Sequence, residues 1–316
     1  MSKIAIIGAG QVGAAIGYTL ALDGLAREIA LIDLNENLAR GEALDIAHGM
    51  PLCPPVSVQG GGYERLEAAD LVIMTAGARQ NPDEDRRALA ERNLRVMDAV
   101  SQEIVRAAPG CVLLVVTNPV DVVTFRAIER TGFPPCRVLG SGTTLDTLRL
   151  LAMLSEATGV ESGGIHGFVL GEHGDSELPA WSSVSVAGMS MDEYCRDCGQ
   201  CDGRLPDHMR QAFEDQVRRA AYRVIRQKGS TCYAIAVAVR RIARAILRDE
   251  RTILTVSSLL TGEYGLAGMC LSLPCVVGRH GVERVIPVKL TPEEEWQLRR
   301  SAEAVRAMTP ESAFSR

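Results

Sequence analysis

Short apolar runs alternate with amphipathic stretches through the first 141 residues of the chain. The apolar runs are KIAII, REIALID, DLVIMTA, CVLLVVT and RVLG, at residues 3–7, 27–33, 70–76, 111–117 and 137–140. Helix-compatible stretches lie between them, near 12–23, 36–48, 87–107 and 120–131. Continuously apolar strands separated by helices are typical of a parallel sheet that is covered on both faces. The pattern therefore predicts an α/β fold whose first domain, residues 1–141, is a doubly wound parallel sheet.

The pattern changes after residue 141. Long helical stretches occupy 143–157, 206–227, 231–248 and 292–308, and two strand-like runs, TILTVSSLL (252–260) and MCLSLPCVV (269–277), precede the last of them. These runs alternate and are separated by Gly-rich turns, which favours antiparallel pairing. We therefore predict a second, α+β domain over residues 142–316. A cleft between two such domains is the default place for a ligand.

Composition narrows the class of protein. The 316 residues are 47% apolar and carry a net charge of −5, which is ordinary for a globular chain and gives no broad positive field for nucleic acid or anionic membranes. Residues 4–22 carry no charge, but four glycines and Gln11 divide them into a strand, a turn and a helix rather than a membrane span. Nine scattered cysteines without an evident export signal favour free thiols in a reducing cytoplasm.

The motif GAGQVG (8–13) follows the first predicted strand directly and opens the first predicted helix. Gly8 allows a tight turn, Gly10 lets the backbone approach a pyrophosphate, and Gly13 lets helix pack on strand. Asp33 follows 20 residues after Gly13, at the end of the second strand, where a carboxylate accepts hydrogen bonds from an adenosine ribose. The same carboxylate would repel a 2′-phosphate, so NAD is favoured over NADP. The fingerprint alone leaves FAD open.

Three further motifs place polar side chains at predicted strand or helix ends. TNPVD (117–121) follows an apolar strand and puts Asn118 at its carboxyl end, where open α/β sheets bind ligands. LDTLR (145–149) puts Asp146 and Arg149 three residues apart, on one helical face. GEHGDSE (171–177) places His173 between two glycines. Read singly, these residues also fit a surface ion pair and an ordinary turn.

Together these motifs resemble the L-lactate and malate dehydrogenase family. The resemblance runs along nearly the whole chain through GAGQVG, Asp33, GARQNPDEDR (77–86), TNPVD, LDTLR, GEHGDSE, KGST (228–231) and GVERVIP (281–287). Within the family the chain looks most like the bacterial L-lactate dehydrogenases. The resemblance implies a Rossmann-type NAD-binding domain followed by a substrate domain, a homotetramer, and reversible reduction of pyruvate to L-lactate by NADH.

The resemblance also assigns roles to individual residues. His173 resembles the family's proton donor and acceptor, and an imidazole suits this because its ordinary pKa is about 6.5. Asp146 resembles the carboxylate that orients it, and Arg149 the anchor for the substrate carboxylate. Arg86 looks like the residue that polarises the reacting carbonyl, while Asn118 and Thr231 would line the substrate and nicotinamide. A non-catalytic NAD-binding regulator would be expected to lack some of these groups.

By the same resemblance, the cofactor contacts come from the glycine loop, the ends of three strands and one later helix. The implied set is Gly8, Gly10, Gln11, Val12, Gly13, Asp33, Thr75, Ala76, Gly77, Asn118 and Ile235.

The identity of the 2-keto acid depends on the stretch RQNPDEDR (79–86). In the family, the residue six positions before the polarising arginine faces the substrate side chain, and it is usually Gln in lactate and Arg in malate dehydrogenases. Pro82 and Arg86 fix the count, so that residue is Gln80 and not the adjacent Arg79. Pyruvate is therefore the expected substrate. A malate dehydrogenase or a branched-chain L-2-hydroxyacid dehydrogenase is the alternative.

Two details depart from the family or stand outside it. Many bacterial relatives are activated by fructose 1,6-bisphosphate through a histidine and an arginine; His166 matches the first, but Leu151 stands at the second, which predicts weak or absent activation. CRDCGQC (195–201) carries Cys195, Cys198 and Cys201, a spacing that would suit a metal. A fourth cysteine is missing at Leu205, although Asp202 or His208 could complete a zinc site. We expect free thiols and no metal.

Overall fold

The first half of the chain forms a parallel six-stranded sheet with helices between its strands. The computed structural model describes residues 2–78, 86–198 and 204–309, and the side chain of Arg86 lies outside that description. The strands are β1 (Lys3–Ile7), β2 (Glu28–Ile32), β3 (Ser57–Gly61), β4 (Leu71–Met74), β5 (Val112–Val115) and β6 (Val138–Gly140). The helices are α1 (Gln11–Asp23), α2 (Glu36–Gly49), α3 (Arg86–Ala107) and α4 (Val120–Thr131).

The strand order in this half is β6-β5-β4-β1-β2-β3, and every neighbouring pair is parallel. The order reverses between β1 and β4, which confirms the predicted doubly wound sheet and puts the expected ligand site at the carboxyl ends of these strands. The sequence pattern did not indicate β3, SVQGG. A Cβ on Gly60 would lie 2.1 Å from the carbonyl oxygen of Ala39, so glycine there lets the backbone of α2 approach the sheet.

The second half combines short strands, long helices and three long strands. The helices are α5 (Thr144–Thr158), α6 (Met191–Asp197), α7 (Asp207–Lys228), α8 (Tyr233–Arg248) and α9 (Pro292–Met308). The short strands are β7 (Ile165–His166), β8 (Val169–Leu170), β9 (Leu178–Pro179), β10 (Ser185–Val186) and β11 (Met189–Ser190). The long strands are β12 (Thr252–Thr261), β13 (Ala267–Gly278) and β14 (Gly281–Val285).

Strands β12 and β13 pair antiparallel, as the alternating pattern of their two runs predicted, and β14 pairs antiparallel with β13. They do not form a sheet of their own, because β12 pairs with β6 through Ser257 and Gly140 and extends the first sheet to nine strands. A Cβ on Gly140 would lie 2.9 Å from the Cβ of Ser257, so the glycine allows this close approach. The strands of the two halves therefore meet edge to edge beside the carboxyl end of β5.

Two apolar clusters cover the two faces of the sheet. Alternate residues of β1 divide between them, with Ile4 and Ile6 in one cluster and Ala5 and Ile7 in the other, which explains the continuously apolar run. Helix α8 buries Val239 in the first cluster and packs against α1. Residues 4–22 become β1, a turn and α1 as predicted, and no helix in the described ranges is long and apolar enough to cross a membrane.

Candidate active site

The glycine loop is shaped by close backbone contacts. Gly8 has φ +103°, and a Cβ there would lie 2.6 Å from the amide nitrogen of Ala76. A Cβ on Gly13 would lie 1.8 Å from the carbonyl oxygen of Gly8. Gly10 differs, since a Cβ there would meet no heavy atom within 4 Å. Gly8 and Gly13 are thus required by the turn itself, whereas Gly10 leaves space at the N-terminus of α1, where a pyrophosphate fits.

Asp33 links the end of β2 to this loop. One carboxylate oxygen accepts a hydrogen bond from the backbone nitrogen of Ala9 and the other from that of Asn35, both at 2.9 Å. A carboxylate has about four lone-pair positions, so these bonds leave capacity for ribose hydroxyls. The sequence indicated only the ribose contact, which stays a prediction. The hydrogen bond from Ala9 in the glycine loop is an additional role of the same side chain.

Thr75, Ala76 and Gly77 lie beside the loop at the carboxyl end of β4. The backbone nitrogens of Thr75 and Ala76 both donate to the carbonyl of Ile7 at 2.8 Å, and the Thr75 hydroxyl donates to the carbonyl of Gly8 at 2.8 Å. At Gly77 a Cβ would lie 2.6 Å from the side chain of Thr117. Thr75 and Ala76 therefore lie against the glycine loop, and Gly77 lies against the residue that precedes Asn118.

Asn118 follows β5 and is exposed at the same edge of the sheet. Its backbone carbonyl accepts a hydrogen bond from the side-chain amide of Asn93 at 2.7 Å, and the amide oxygen of Asn93 accepts from the backbone of Ala78 at 2.7 Å. Asn93 is buried on α3 and ties together the segments after β4 and β5. Sequence reasoning missed Asn93, because a single amide within a helix carries no motif.

The second half of the chain reaches the glycine loop between α7 and α8. The hydroxyl of Ser230 donates to the side-chain carbonyl of Gln11 at 2.5 Å. Thr231 follows directly, and Ile235 lies in the first turn of α8, half-buried against the same apolar cluster as Val12. Predicted cofactor and substrate residues from distant parts of the chain thus meet at one edge.

His173, Asp146 and Arg149 form a connected group. Nδ1 of His173 lies 2.6 Å from one oxygen of Asp146, and Nη1 of Arg149 donates to the other oxygen at 2.7 Å. The Asp146 side chain is 1% exposed, whereas that of His173 is 23% exposed. An ionised Asp146 accepts from Nδ1–H, which leaves Nε2 of the imidazole for proton exchange. The helical spacing predicted for Asp146 and Arg149 is confirmed as an ion pair on α5.

This contact perturbs both titrating groups. Burial of the ring disfavours the charged imidazole, but the charge of Asp146 and its hydrogen bond outweigh burial and raise the pKa of His173 to about 9. Burial also disfavours the charged Asp146, yet His173 and Arg149 together hold the pKa of Asp146 below its ordinary value. The pair therefore favours the protonated imidazole beside an ionised carboxylate.

Asp121 forms a hydrogen bond with the backbone of His173. This residue was not singled out from the sequence. Its carboxylate accepts from the backbone nitrogen of His173 at 3.0 Å and from the hydroxyl of Ser257 on β12 at 2.5 Å. Burial raises the pKa of Asp121 to about 6, against the opposing effect of these hydrogen bonds. The residue ends the quoted motif TNPVD, so its position beside Asn118 was the available signal.

Several predicted residues lie outside the described structure. Gln80 is among them, and so is Cys201; Arg86 begins α3, but its side chain is not described. Cys195 is buried on α6, and the Cys198 thiol donates to the Cys195 carbonyl at 3.5 Å. His166 is exposed on β7 and Leu151 is half-buried on α5.

A glycine loop suited to a dinucleotide, together with a His–Asp pair and an arginine in one structure, defines the class of protein, a dinucleotide-dependent oxidoreductase. The chain belongs to the lactate/malate dehydrogenase family. Residues 2–140 match the model of its NAD binding domain, and residues 143–313 match that of its alpha/beta C-terminal domain. The first match settles the cofactor as NAD.

Relatives and solved structures agree with this placement. The L-lactate dehydrogenase of Acetivibrio thermocellus is 46% identical over 306 residues, covering 97% of this chain and 96% of the relative. That of Thermoanaerobacter pseudethanolicus is 46% identical over 311 residues, covering 98% and 99%. The crystal structure of the minor L-lactate dehydrogenase of Enterococcus mundtii, in a ligand-bound form, matches with a TM-score of 0.92 at 38% identity over 97% of each chain.

Proposed function

We propose that the chain catalyses reversible reduction of pyruvate to L-lactate by NADH. The observation that carries the proposal is the group in which buried Asp146 contacts the partly exposed side chains of His173 and Arg149. This group belongs to the half of the chain that contacts the glycine loop through Ser230. The relatives' shared name, L-lactate dehydrogenase, supports the substrate. NADH supplies the hydride when it is bound.

Substrate orientation falls to Arg149. A guanidinium has five N–H donors, so the bond from Nη1 to Asp146 does not exhaust it, and a planar fork suits the carboxylate of a 2-keto acid. Asn118, exposed at the end of β5, and Thr231 complete the lining of the substrate and nicotinamide region. Asp33 and the space at Gly10 are assigned to the adenosine ribose and the pyrophosphate.

Proton transfer falls to His173. During reduction its Nε2–H donates to the carbonyl oxygen as the hydride reaches carbon, and Arg86 stabilises the charge that develops on that oxygen. Asp146 stays ionised and stabilises the imidazolium before the transfer, as its low pKa requires. In lactate oxidation the same nitrogen, then unprotonated, accepts the hydroxyl proton.

Gln80 is assigned to substrate choice. A neutral amide leaves the second carboxylate of oxaloacetate unpaired, and a lost charge-assisted hydrogen bond costs about 1.5–3 kcal/mol, or about 10- to 150-fold. We expect kcat/KM for pyruvate to exceed that for oxaloacetate and 2-ketoisocaproate, measured as loss of NADH absorbance. Gln80→Arg should raise the oxaloacetate-to-pyruvate ratio by about 10- to 150-fold. A preference for oxaloacetate in the unaltered protein would favour the malate alternative, and one for 2-ketoisocaproate the branched-chain alternative.

We further propose a cytoplasmic homo-oligomer, by family resemblance a tetramer, divided into an NAD-binding unit (1–141) and a catalytic unit (142–316). Exposed apolar side chains on α1 and α8, among them Tyr18, Leu22, Tyr233 and Val237, support a second copy as the occupant of this face. Tyr18 and Tyr233 also line a cavity of about 520 Å³ there. Sedimentation equilibrium of the unaltered protein and of Val237→Glu tests this, since a monomeric unaltered protein would contradict it.

A further inference from the structure

A second buried carboxyl group stands beside the catalytic pair. Glu177, the last residue of GEHGDSE, precedes β9 and is 2% exposed. A ring nitrogen of His173 and one carboxyl oxygen each of Asp146 and Glu177 lie within 4.8 Å of one another. The carboxyl groups of Glu177 and Asp146 therefore stand close together in a part of the protein that is almost closed to solvent. None of the roles assigned so far uses this side chain.

Two carboxylates this close together and away from water repel each other, which favours a proton on one of them. A proton also allows a hydrogen bond between the two groups, because a carboxylate has only acceptor atoms. Asp146 receives Nη1 of Arg149 on one oxygen and faces Nδ1 of His173 with the other, and both contacts favour its ionised form. The member of the two that takes the proton is therefore Glu177. Burial, followed by the charge of Asp146, raises the pKa of Glu177 well above its ordinary value, against the opposing charges of His173 and Arg149.

We propose that Glu177 is a positioning residue, a neutral carboxylic acid whose hydrogen bond to Asp146 moderates how strongly that carboxylate holds the proton on His173. The inference rests on the proposed function, since it concerns the proton that His173 exchanges with substrate. Donation from Glu177 withdraws part of the negative charge that faces the imidazole. The protonated imidazole is therefore less favoured than Asp146 alone would make it, which helps lactate oxidation near neutral pH.

Other charged groups lie around His173, Asp146 and Glu177. Asp121 faces His173 from α4, and its charge favours the imidazolium. Glu172, on the same loop, is buried and accepts from the Ser176 hydroxyl. Arg218 on α7 donates through Nε to the backbone carbonyl of Glu177 at 3.2 Å and through Nη2 to Glu214 at 3.2 Å. An ionised Glu177 would add one more negative charge to a histidine that already faces two carboxyl groups.

Infrared spectroscopy of the protein without substrate tests the protonation directly. The difference spectrum between the unaltered protein and Glu177→Gln, recorded at about pH 7, should show loss of the carbonyl stretch of a protonated carboxylic acid. Loss of carboxylate bands alone would overturn the proposal. This readout does not depend on turnover, so it decides the state of Glu177 even if no 2-keto acid proves to be a substrate.

The pH dependence of kcat/KM for pyruvate tests the effect on His173. Replacing Glu177 with Leu removes the donor to Asp146 and should move the alkaline midpoint upward by about 1 unit. Glu177→Gln, which keeps a donor, should restore the midpoint of the unaltered enzyme even if kcat falls. A lower midpoint in Glu177→Gln would reveal an ionised glutamate, and an unmoved midpoint in Glu177→Leu would reveal a packing role; either overturns the proposal. Should the Leu variant fail to fold, the Gln variant and the infrared spectrum still decide.

Discussion

The nucleotide side and the catalytic side of the candidate site depend on different kinds of chemical group. The nucleotide side consists of backbone and glycine, where Gly8 and Gly13 permit a turn and Gly10 leaves open space. The catalytic side consists of buried ionisable side chains, in which Asp146 binds both His173 and Arg149. Close contacts with the backbone restrict which residues the nucleotide side accepts. The charges of neighbouring groups restrict which residues the catalytic side accepts. Substitutions on one side should therefore weaken cofactor binding without altering protonation, and substitutions on the other should do the reverse.

The largest expected effect comes from His173→Gln on the catalytic side. Loss of the proton donor should lower kcat/KM for pyruvate by about 10²- to 10⁴-fold, the usual contribution of general acid catalysis. Because His173 belongs to the catalytic side, the dissociation constant of NADH, measured by fluorescence titration, should change by less than about threefold. A comparable loss of NADH affinity would break the division between the two sides.

A smaller effect is expected from Gly10→Ala on the nucleotide side, with Gly13→Ala as the matched variant. A Cβ at residue 10 meets no atom within 4 Å, so the melting temperature without cofactor should be unchanged, while NADH should bind about 10- to 100-fold more weakly because the methyl group fills the pyrophosphate space. At residue 13 the Cβ would lie 1.8 Å from the Gly8 carbonyl, so that variant should melt at a lower temperature without cofactor.

This pair of variants separates an effect on folding stability from an effect on cofactor binding. Unimpaired NADH binding by Gly10→Ala would show that the open space at residue 10 is not where the cofactor lies. Equal melting of both variants would show that the close contact at Gly13 does not limit stability.

The smallest effect is expected from fructose 1,6-bisphosphate, which should alter neither cofactor binding on the nucleotide side nor pyruvate turnover on the catalytic side. Leu151 stands where an arginine would bind phosphate, so saturating sugar phosphate should lower KM for pyruvate by less than about twofold. Leu151→Arg supplies the missing guanidinium group and serves as the positive control. A large drop in KM in the unaltered enzyme would show that another residue binds the phosphate.

The sequence predicted the features that depend on periodicity and on short motifs. The run KIAII became β1 over the same residues, and Asp146 and Arg149 met as their helical spacing required. It missed features that depend on tertiary contact. Strand β3 has a glycine-rich sequence because α2 lies against it, and Asn93 gains its role only where the ends of β4 and β5 come together.

The catalytic motifs contain both kinds of feature, those that the sequence predicts and those that depend on tertiary contact. GEHGDSE drew attention to His173 through its glycines, yet Glu177, four residues later, also faces Asp146. Asp121 closed the motif TNPVD without any sign that its oxygen would meet the backbone of His173. Sequence spacing identifies residues that share one element. Contacts made across elements, such as those of Asp121 with Ser257, depend on how β12 joins the sheet.

The central question is whether the buried charge of Asp146 sets the pKa of His173. The most direct test is the pH dependence of kcat/KM for pyruvate, measured in the unaltered enzyme and in Asp146→Asn. Reduction requires protonated His173, whose pKa is raised to about 9, so activity should persist at neutral pH and fall as pH rises through about 9. Without the charge of Asp146 the midpoint should fall toward the ordinary histidine value of about 6.5, whereas Gly10→Ala should keep it near 9. An identical midpoint in Asp146→Asn and the unaltered enzyme would contradict the account.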